Sequence, residues 1–380
     1  MGRVENPYRP GFNEPPKELA GRSAVLEDLS EAIEVAALDG RTPRPILLAG
    51  ARGVGKTVLL AEAATIAGSR FGWPRVHVEM RPETPFTPDL VDAITRATAL
   101  LEQPPAKRGL RAESVTVRAS VPGVGGEVRF ARTADAQDDP TPALRPALTG
   151  LAELATRLGS GVVLTLDEAH LATRRELAAL AALLQEGTGE RWPVVVVLAG
   201  LPLMRAPEHS VTYLERGAWH ELGMLSREDT VRALRIPADT GGRPMDEEAA
   251  LILAEASGGY PFAVQLYGHY AWRASNDRGR IDVAAASVAL PRAQEEFERG
   301  LYAARWTAAS PSQKRYLTAI ATVAATGTPT TARAVADELG RTSKQLSTVR
   351  DDLIKQGTLT VEGDELRFTI PGMSTFVLAR

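Results

Sequence analysis

The most informative segment of this 380-residue chain reads Gly50-Ala51-Arg52-Gly53-Val54-Gly55-Lys56-Thr57. The pattern G-x-x-x-x-G-K-T is typical of a loop whose glycines let successive main-chain N–H groups turn inward around bound phosphates. An apolar run at residues 46–49 predicts a buried strand before the loop, and helical periodicity follows over residues 56–67. A helix that begins at the loop adds partial positive charge there. The segment therefore predicts a phosphate-binding loop between a strand and a helix.

The two polar residues at the end of this segment have distinct predicted roles. The Lys56 ammonium should reach the β- and γ-phosphates of a nucleotide, and the Thr57 hydroxyl should bind Mg²⁺. The predicted nucleotide-binding residues of the segment are Gly50, Ala51, Arg52, Gly53, Val54, Gly55, Lys56, Thr57 and Val58. The sequence thus indicates ATP or ADP together with Mg²⁺ as the ligands.

A later apolar strand, residues 161–166, ends in two carboxylates, Asp167 and Glu168. An acidic pair after a strand is by itself often a helix cap or a solvated turn. Combined with the phosphate loop, it indicates that Asp167 holds Mg²⁺ through water and that Glu168 polarises an attacking water. The pair therefore predicts slow ATP hydrolysis, with Lys56 and Glu168 as catalytic residues.

The four residues from Asp167 to His170 spell Asp-Glu-Ala-His, which is the tetrad of one helicase class. Such helicases need a second domain of the same type, and this chain has one phosphate loop, so the helicase interpretation is disfavoured. His170 is interpreted either as a local cap or as a relay toward the γ-phosphate.

Strands and helices alternate over the first 225 residues, which indicates an α/β core. The strands at residues 161–166 and 194–198 are continuous apolar runs, as expected where helices cover both faces of a parallel sheet. Residues 76–80 predict another strand, and residues 219–222 predict an edge strand. Thr87-Pro88-Asp89 predicts a helix start with Thr87 as the cap and the proline in the first helical position.

The pattern of elements changes twice along the chain, which predicts three domains. Residues 1–225 form the core, with an N-terminal arm rich in proline and glycine and an inserted β-hairpin near residues 115–130. Residues 226–308 contain only helical patterns and form a lid. Residues 309–380 read as three helices followed by two short strands, a winged helix-turn-helix whose second helix spans residues 342–356.

Composition excludes several classes of function. The chain has no cysteine, and its five histidines show no metal-ligand spacing, so disulfide frameworks, thiol nucleophiles and cysteine-ligated metals are excluded. The longest nearly apolar run, residues 193–204, is too short to span a bilayer. No secretory signal is visible, so a cytoplasmic protein without membrane contact is expected. A net charge of −3 gives no overall field that would attract nucleic acid.

The order of the motifs resembles that of a known family. In chain order they are Gly21-Arg22, the phosphate loop, Asp167-Glu168, Ala199-Gly200-Leu201-Pro202, Glu215-Arg216, Gly258-Gly259-Tyr260-Pro261 and the C-terminal winged helix. This order is similar to that of P-loop ATPases of the AAA+/STAND group, most of all bacterial and archaeal ATPases related to origin-recognition proteins. The resemblance covers nearly the whole chain and implies a P-loop NTPase core with a parallel sheet, a helical lid and a winged helix.

The resemblance also implies roles for individual residues. Leu19, Ala20, Gly21 and Arg22 match a segment that packs against adenine, although Gly21-Arg22 could also be a simple helix start. Arg216 matches the place of an arginine finger that acts on a neighbouring subunit, and its alternative is a surface arginine. Pro261 matches a proline that packs near the base, and its alternative is an ordinary helix junction. One departure is that the strand before Leu201 ends without the polar side chain that usually senses the γ-phosphate.

The sequence therefore predicts a Mg²⁺-dependent ATP-binding and ATP-hydrolysing switch whose nucleotide state repositions a winged helix. Double-stranded DNA is one predicted partner, through the candidate contacts Arg341, Ser343, Lys344, Gln345, Ser347, Thr348 and Arg350. The electrostatic footprint for DNA is weak, because residues 310–380 hold nine Lys and Arg against seven Asp and Glu. The alternative is a STAND-type signalling switch with a protein partner. A nucleotide-dependent homo-oligomer is compatible with either.

Overall fold

A computed structural model of the chain describes residues 5–11, 15–103, 139–205, 211–275 and 279–380. The chain divides into two compact units. The sheet unit comprises residues 24–49 and 59–221, and the C-terminal unit comprises residues 1–23, 50–58 and 222–380. The hairpin expected near residues 115–130 lies outside the described residues. The division into three domains, with boundaries near residues 225 and 308, stays a prediction.

The sheet unit is built on one five-stranded sheet. Its strands are β1 (Ile46–Gly50), β2 (Arg75–Glu79), β3 (Val162–Asp167), β4 (Val194–Gly200) and β5 (Ala218–Leu222). Their order across the sheet is β2-β3-β4-β1-β5. The pairs β1–β4, β4–β3 and β3–β2 are all parallel. The prediction of a parallel sheet is confirmed, and β5 lies at an edge as predicted.

Helices cover this sheet because its central strands are apolar along their whole length. The helices are α1 (Ser23–Leu38), α2 (Lys56–Phe71), α3 (Thr87–Leu101), α4 (Thr141–Arg157), α5 (Arg174–Gly189) and α6 (Thr212–Glu215). Every residue of β1, β3 and β4 is buried, which requires cover on both faces. One core cluster joins Leu47, Leu164 and Leu198 of the strands to Leu90 and Leu148 of the helices.

The start of α3 differs from its prediction. Thr87 does not cap the helix, because the cap position is Phe86 and no side-chain hydrogen bond is made from there. Instead the carboxylate of Glu176, in α5, accepts hydrogen bonds from Phe86 N at 2.8 Å, Thr87 N at 3.1 Å and Thr87 Oγ1 at 3.0 Å. The orphan amides at the start of α3 are thus satisfied by a residue 90 positions away in sequence, which local sequence could not reveal.

Glu176 is only 7% exposed, so its replacement should destabilise the fold. We expect Glu176→Ala to lower the free energy of unfolding by about 3 kcal/mol, because several buried donors lose their acceptor. Glu176→Gln keeps one carbonyl oxygen and should cost only about 1 kcal/mol. Urea unfolding of both variants tests this. The matched control is Glu186→Gln in the same helix, which weakens only an exposed pair with Arg145 and should leave the urea midpoint close to that of the parent.

The C-terminal unit is mainly helical. Its helices are α7 (Arg227–Thr240), α8 (Glu247–Ser257), α9 (Pro261–Ala274), α10 (Val283–Phe297), α11 (Ala303–Ala308), α12 (Pro311–Ala325), α13 (Ala332–Glu338), α14 (Ser347–Lys355) and α15 (Met373–Leu378), with a π-helical turn at Glu298–Tyr302. The strands β6 (Leu359–Glu362) and β7 (Glu365–Phe368) form an antiparallel hairpin. In the part of the chain that the structure describes, no helix has both the length and the apolar character needed to cross a bilayer.

Both ends of the chain enter the core of this unit. The described residues of the N-terminal arm, 5–11 and 15–22, are not helical, as its prolines predict, and Tyr8 is buried together with Leu253 and Leu266. The Tyr8 hydroxyl donates a hydrogen bond to the carbonyl of Leu234. Phe376, in the last helix, belongs to the same cluster. The sequence did not predict that either end would anchor in the lid helices.

Helices α12, α13 and α14 and the β6–β7 hairpin, here called the C-terminal module, follow one another in the predicted order. The predicted second helix, residues 342–356, begins later than expected, at Ser347. Residues 342–347 instead make hydrogen bonds between positions three apart, from Gln345 N to Thr342 O and from Leu346 N to Ser343 O. Such a tight turn at a helix start accounts for the difference in bounds.

Candidate functional site

The predicted phosphate loop lies between the end of β1 at Gly50 and the start of α2 at Lys56. Gly53 has φ +80° and Gly55 has φ +98°, values that a side chain would make strained. Such backbone turns N–H groups toward one side and forms an anion-binding concavity. A Cβ on Gly55 would meet no described atom within 4 Å, so the loop is open there. The glycine spacing therefore builds the conformation that phosphate binding needs.

Lys56 lies where the sequence predicts it, against the loop. It is only 6% exposed, and its Nζ donates hydrogen bonds to the carbonyls of Gly50 and Ala51, both at 2.8 Å. These carbonyls hold a buried ammonium at the loop, where its charge is available to phosphate oxygens. Thr57 is the second residue of α2, so its hydroxyl is placed in the first turn of the helix.

Arg22 holds the loop from the N-terminal side. Its Nη2 donates to the carbonyl of Val54 at 3.1 Å and to that of Gly223 at 2.7 Å. Burial lowers the pKa of the Arg22 guanidinium, and the Asp229 carboxylate acts in the opposite direction. Gly21 has φ +68°, and a Cβ there would lie 2.8 Å from the Asp229 carboxylate. Gly21-Arg22 is thus more than a helix start, and its contact with adenine stays a prediction.

Tyr260 contacts the loop from the lid side, and no role for it was predicted from the sequence. Its hydroxyl donates to the carbonyl of Arg52 at 3.0 Å, and a Cβ on Gly53 would overlap that hydroxyl. Tyr260 is 2% exposed, and burial raises its pKa to about 12. The residue follows two glycines with positive φ and precedes Pro261, which opens α9 as predicted. The Gly-Gly-x-Pro junction was therefore the sequence signal for this contact. In the structure it positions Tyr260 as well as Pro261.

Arg305 extends these contacts toward the C-terminal module. Burial lowers the pKa of its guanidinium, while Tyr260 raises it and Arg52 lowers it further. Its Nη1 donates to the carbonyl of Gly357, just before β6, at 3.2 Å. Within the C-terminal unit, Tyr260 is therefore hydrogen-bonded to the phosphate loop and Arg305 to the chain just before β6, and the charges of the two side chains influence each other's pKa.

The acidic pair lies at the end of β3. Asp167 is 4% exposed, and its Oδ1 accepts a hydrogen bond from Glu168 N at 2.8 Å. Glu168 has φ +51°, a left-handed conformation that costs energy for a residue with a side chain. Non-glycine strain of this kind concentrates at functional sites. Its carboxylate Oε2 lies 3.3 Å from His170 Nδ1, so the second and fourth residues of the tetrad are in contact.

A polar cluster beside Asp167 was not predicted. Arg75 Nε donates to Thr165 Oγ1 at 2.9 Å, and Arg75 Nη2 lies 2.8 Å from His77 Nδ1. Burial lowers the pKa of Arg75 to about 10 and that of His77 to about 4, and Asp167 acts in the opposite direction on both. The alternation of Arg75 and His77 along β2 was the signal, because it places both on one face of the sheet.

The donor atoms present fit a nucleotide with Mg²⁺. The loop follows β1 and the acidic pair ends β3, and these strands run parallel on either side of β4 in one sheet. Each motif follows the carboxyl end of its own strand, which is the position at which open α/β sheets bind ligands. The Thr57 hydroxyl and the Asp167 carboxylate are hard oxygen ligands of the kind Mg²⁺ prefers. Among the described residues, no group of three or more His, Asp and Glu side chains could hold a metal by itself.

Arg216 ends the short helix α6 and is exposed. Its main-chain N–H donates to the carbonyl of Leu214, and the described residues give its side chain no hydrogen bond or ion pair. Its side chain is therefore accessible to another molecule, and its role as a finger in the site of a neighbouring subunit stays a prediction.

Two segments of the chain match known protein families. Residues 18–197 match the AAA ATPase domain, and residues 299–377 match a domain of unknown function. No curated protein sequence matches the chain.

Several solved structures share the fold over nearly the whole chain. The Cdc6p protein of Pyrobaculum aerophilum is 16% identical with a TM-score of 0.52, covering 97% of this chain and 96% of that one. The ORC2 protein of Aeropyrum pernix, described with ADPNP and ADP, is 14% identical with a TM-score of 0.62, covering 97% and 95%. A Walker-type ATPase of Pyrococcus abyssi is 16% identical with a TM-score of 0.60, covering 96% and 97%. At these identities the likeness establishes the fold.

Proposed function

Residues 18–197 form a P-loop AAA+ ATPase domain, and from this premise we propose that the chain is a slow Mg²⁺-dependent ATPase switch. In this proposal, exchange of ATP for ADP repositions the C-terminal module. The observation that carries it is the phosphate loop itself, with two positive-φ glycines and the Lys56 ammonium held against it. The description of the Aeropyrum protein with an ATP analogue and ADP supports the choice of nucleotide.

In this proposal, different residues of the chain bind the phosphates, hold Mg²⁺ and activate the attacking water. The loop amides and Lys56 bind the phosphates and stabilise the charge that develops on the γ-phosphate. The Thr57 hydroxyl and the Asp167 carboxylate would hold Mg²⁺, which when bound neutralises phosphate charge. Glu168 orients the attacking water and accepts its proton. Leu19, Gly21, Arg22 and Pro261 would contact the base, in keeping with the resemblance.

The proposed activity is tested by phosphate release from ATP by the purified chain. We expect release that requires Mg²⁺ and stops with a chelator. The control is Lys56→Ala purified in the same way, because it reports contaminating ATPases. Release that is equal in the two preparations, or that persists in the chelator, would contradict the proposal.

Movement of the module is supported by two hydrogen bonds of the C-terminal unit, one from Tyr260 to the carbonyl of Arg52 and one from Arg305 to the carbonyl of Gly357, and by the electrostatic influence of Arg305 on Tyr260. A phosphate that displaces the Arg52 main chain would disturb the first of these hydrogen bonds. We expect small-angle scattering to differ between the protein with ADP and the Glu168→Gln variant with ATP. Identical scattering profiles in the two states would count against repositioning.

DNA is a second proposal, favoured by one feature of the module. The residues before and at the start of α14 expose Arg341, Lys344, Gln345 and Thr348 on one segment. The arginine of the hairpin, Arg367, is instead engaged by Glu362 and Glu365, both at 3.1 Å. A DNA contact would therefore use the start of α14 rather than the hairpin.

A salt titration of duplex DNA binding tests this contact. Two phosphate contacts predict a slope of about −2 in a log–log plot of affinity against salt. Replacing both Arg341 and Lys344 by Gln should abolish that slope, whereas Arg299→Gln, an exposed arginine elsewhere in the same unit, should leave it unchanged. Absence of binding at low salt, with and without ATP, favours the STAND-type alternative with a protein partner.

Arg216 gives a prediction about assembly. If it acts on a neighbouring subunit, Arg216→Ala should reduce ATP turnover about 10³-fold at protein concentrations where oligomers form. In dilute, monomeric samples the variant and the parent should turn over ATP at the same slow rate. Turnover measured across a dilution series, with particle mass recorded by light scattering, checks this. An equal loss in strictly monomeric protein would show that Arg216 does not act in trans.

A further inference from the structure

His170 lies between the proposed base and the end of β4. Its side chain is almost fully buried, and its Nδ1 is 3.3 Å from Glu168 Oε2. The same Nδ1 is 3.3 Å from the main-chain nitrogen of Leu201, the first residue after β4. The strand end packs closely on this turn, since a Cβ on Gly200 would lie 3.1 Å from His170 N. One ring nitrogen therefore faces two different groups.

These two contacts exclude each other. A carboxylate only accepts hydrogen bonds, so the contact with Glu168 requires a proton on Nδ1. A main-chain N–H only donates, so the contact with Leu201 requires a lone pair on Nδ1. A ring nitrogen carries either the proton or the lone pair. At any one time, Nδ1 can therefore form a hydrogen bond with Glu168 or with the main chain at the end of β4, but not with both.

The contact with Glu168 also decides which carboxylate oxygen faces outward. Oε2 is buried, while 22% of the Glu168 side chain remains exposed. The exposure therefore belongs to the rest of the side chain, and Oε1 is the oxygen that can meet a water. Anchoring Oε2 at His170 would fix the direction of Oε1.

We propose that His170 is the positioning residue of the hydrolytic step, and that it anchors Glu168 only when its Nδ1 is not occupied by the Leu201 N–H. Movement of the β4 end away from Nδ1 frees this nitrogen to bind Glu168, which aligns Oε1 with the water. This links the proposed base to a strand end that carries no polar side chain to sense the γ-phosphate. The inference rests on the proposed function, because it assigns Glu168 the role of base.

Two substitutions of His170 distinguish the role of Nδ1 from that of Nε2. Asn places its amide close to the position of Nδ1, whereas Gln reaches toward that of Nε2. His170→Asn can donate to Glu168 and should keep kcat within about threefold of the parent. His170→Gln should lower kcat about tenfold or more, because misplacement of a reacting group by about 1 Å can cost 10²-fold. Neither change should alter the affinity for ATP more than a few-fold, because the phosphate loop and Lys56 are left unchanged.

A double substitution shows whether His170 acts through Glu168. The variant with both His170→Gln and Glu168→Gln should be no slower than Glu168→Gln alone, because groups that act as a unit are not additive. Independent losses would overturn the proposal, as would equal kcat values for the Asn and Gln variants. If Glu168→Gln alone leaves hydrolysis intact, Glu168 is not the catalytic base. The proposed role of Glu168 and the positioning role of His170 are then both wrong.

The ring itself can be observed without any substitution. Nitrogen-15 NMR of the histidines identifies which nitrogen of His170 carries the proton. We expect the protonated nitrogen to change between the ADP-bound protein and the protein with a non-hydrolysable ATP analogue. A single unchanged tautomer in both states would overturn the switching part of the proposal.

Discussion

Glu168→Gln should lower the rate of ATP hydrolysis about 10²- to 10⁴-fold while ATP remains bound. The amide cannot accept a proton from the attacking water, but it has nearly the shape of the carboxylate. Affinity should change only a few-fold, because Lys56 and the loop amides supply the binding. Single-turnover hydrolysis and equilibrium binding, measured on the same preparation, separate the two quantities.

Glu79→Gln is the matched control for this substitution. Glu79 pairs in register with Asp167 at the end of β2 and is exposed. The Glu79→Gln substitution removes the same charge from the same edge of the sheet and leaves the proposed base, Glu168, unchanged. We expect its hydrolysis rate to stay within about threefold of the parent. A Glu168→Gln variant that turns over as fast as Glu79→Gln would remove Glu168 from the chemistry.

Gly53→Ala should weaken ATP binding by about tenfold or more and lower the stability of the protein. Two causes add at this position. The φ of +80° costs an alanine about 1–2 kcal/mol. The new methyl group would also overlap the Tyr260 hydroxyl and break its hydrogen bond to the Arg52 carbonyl. Either the loop or the tyrosine must move, and the shape of the anion-binding concavity changes with it.

Gly40→Ala isolates the backbone part of this effect. Gly40 has φ +61°, and a Cβ there would meet no described atom within 4 Å. It should lower the thermal midpoint slightly and leave ATP affinity unchanged. Replacing Tyr260 by Ala in the Gly53→Ala background should restore part of the affinity, because the overlap is removed. If Gly53→Ala binds ATP as tightly as the parent, the loop is not held as described.

The sequence predicted those parts of the fold that depend on local patterns. Continuous apolar runs predicted the buried parallel strands, and the glycine spacing predicted the loop between β1 and α2. Helix α2 begins at Lys56, as the periodicity over residues 56–67 predicts. Each of these features depends on residues close together in the chain, so a single sequence was sufficient.

The sequence did not predict contacts between distant segments. Glu176 reaches the start of α3, Tyr260 reaches the carbonyl of Arg52, and Tyr8 enters the lid core. No local pattern distinguishes Glu176 and Tyr8 from other buried side chains, and the Gly-Gly-x-Pro junction marks Tyr260 without showing its partner, because all three partners are more than 80 residues away. His170 is intermediate, since the tetrad marked the residue but only the structure shows that its Nδ1 faces both Glu168 and Leu201.

ATP binding is tested most simply by calorimetric titration of Mg²⁺ and ATP into the purified chain after bound nucleotide has been stripped. We expect saturable heat corresponding to one site per chain, and loss of that heat in Lys56→Ala. A parent protein that folds and shows no uptake of ATP would contradict the proposed function, because the loop at residues 50–57 would then hold no phosphate.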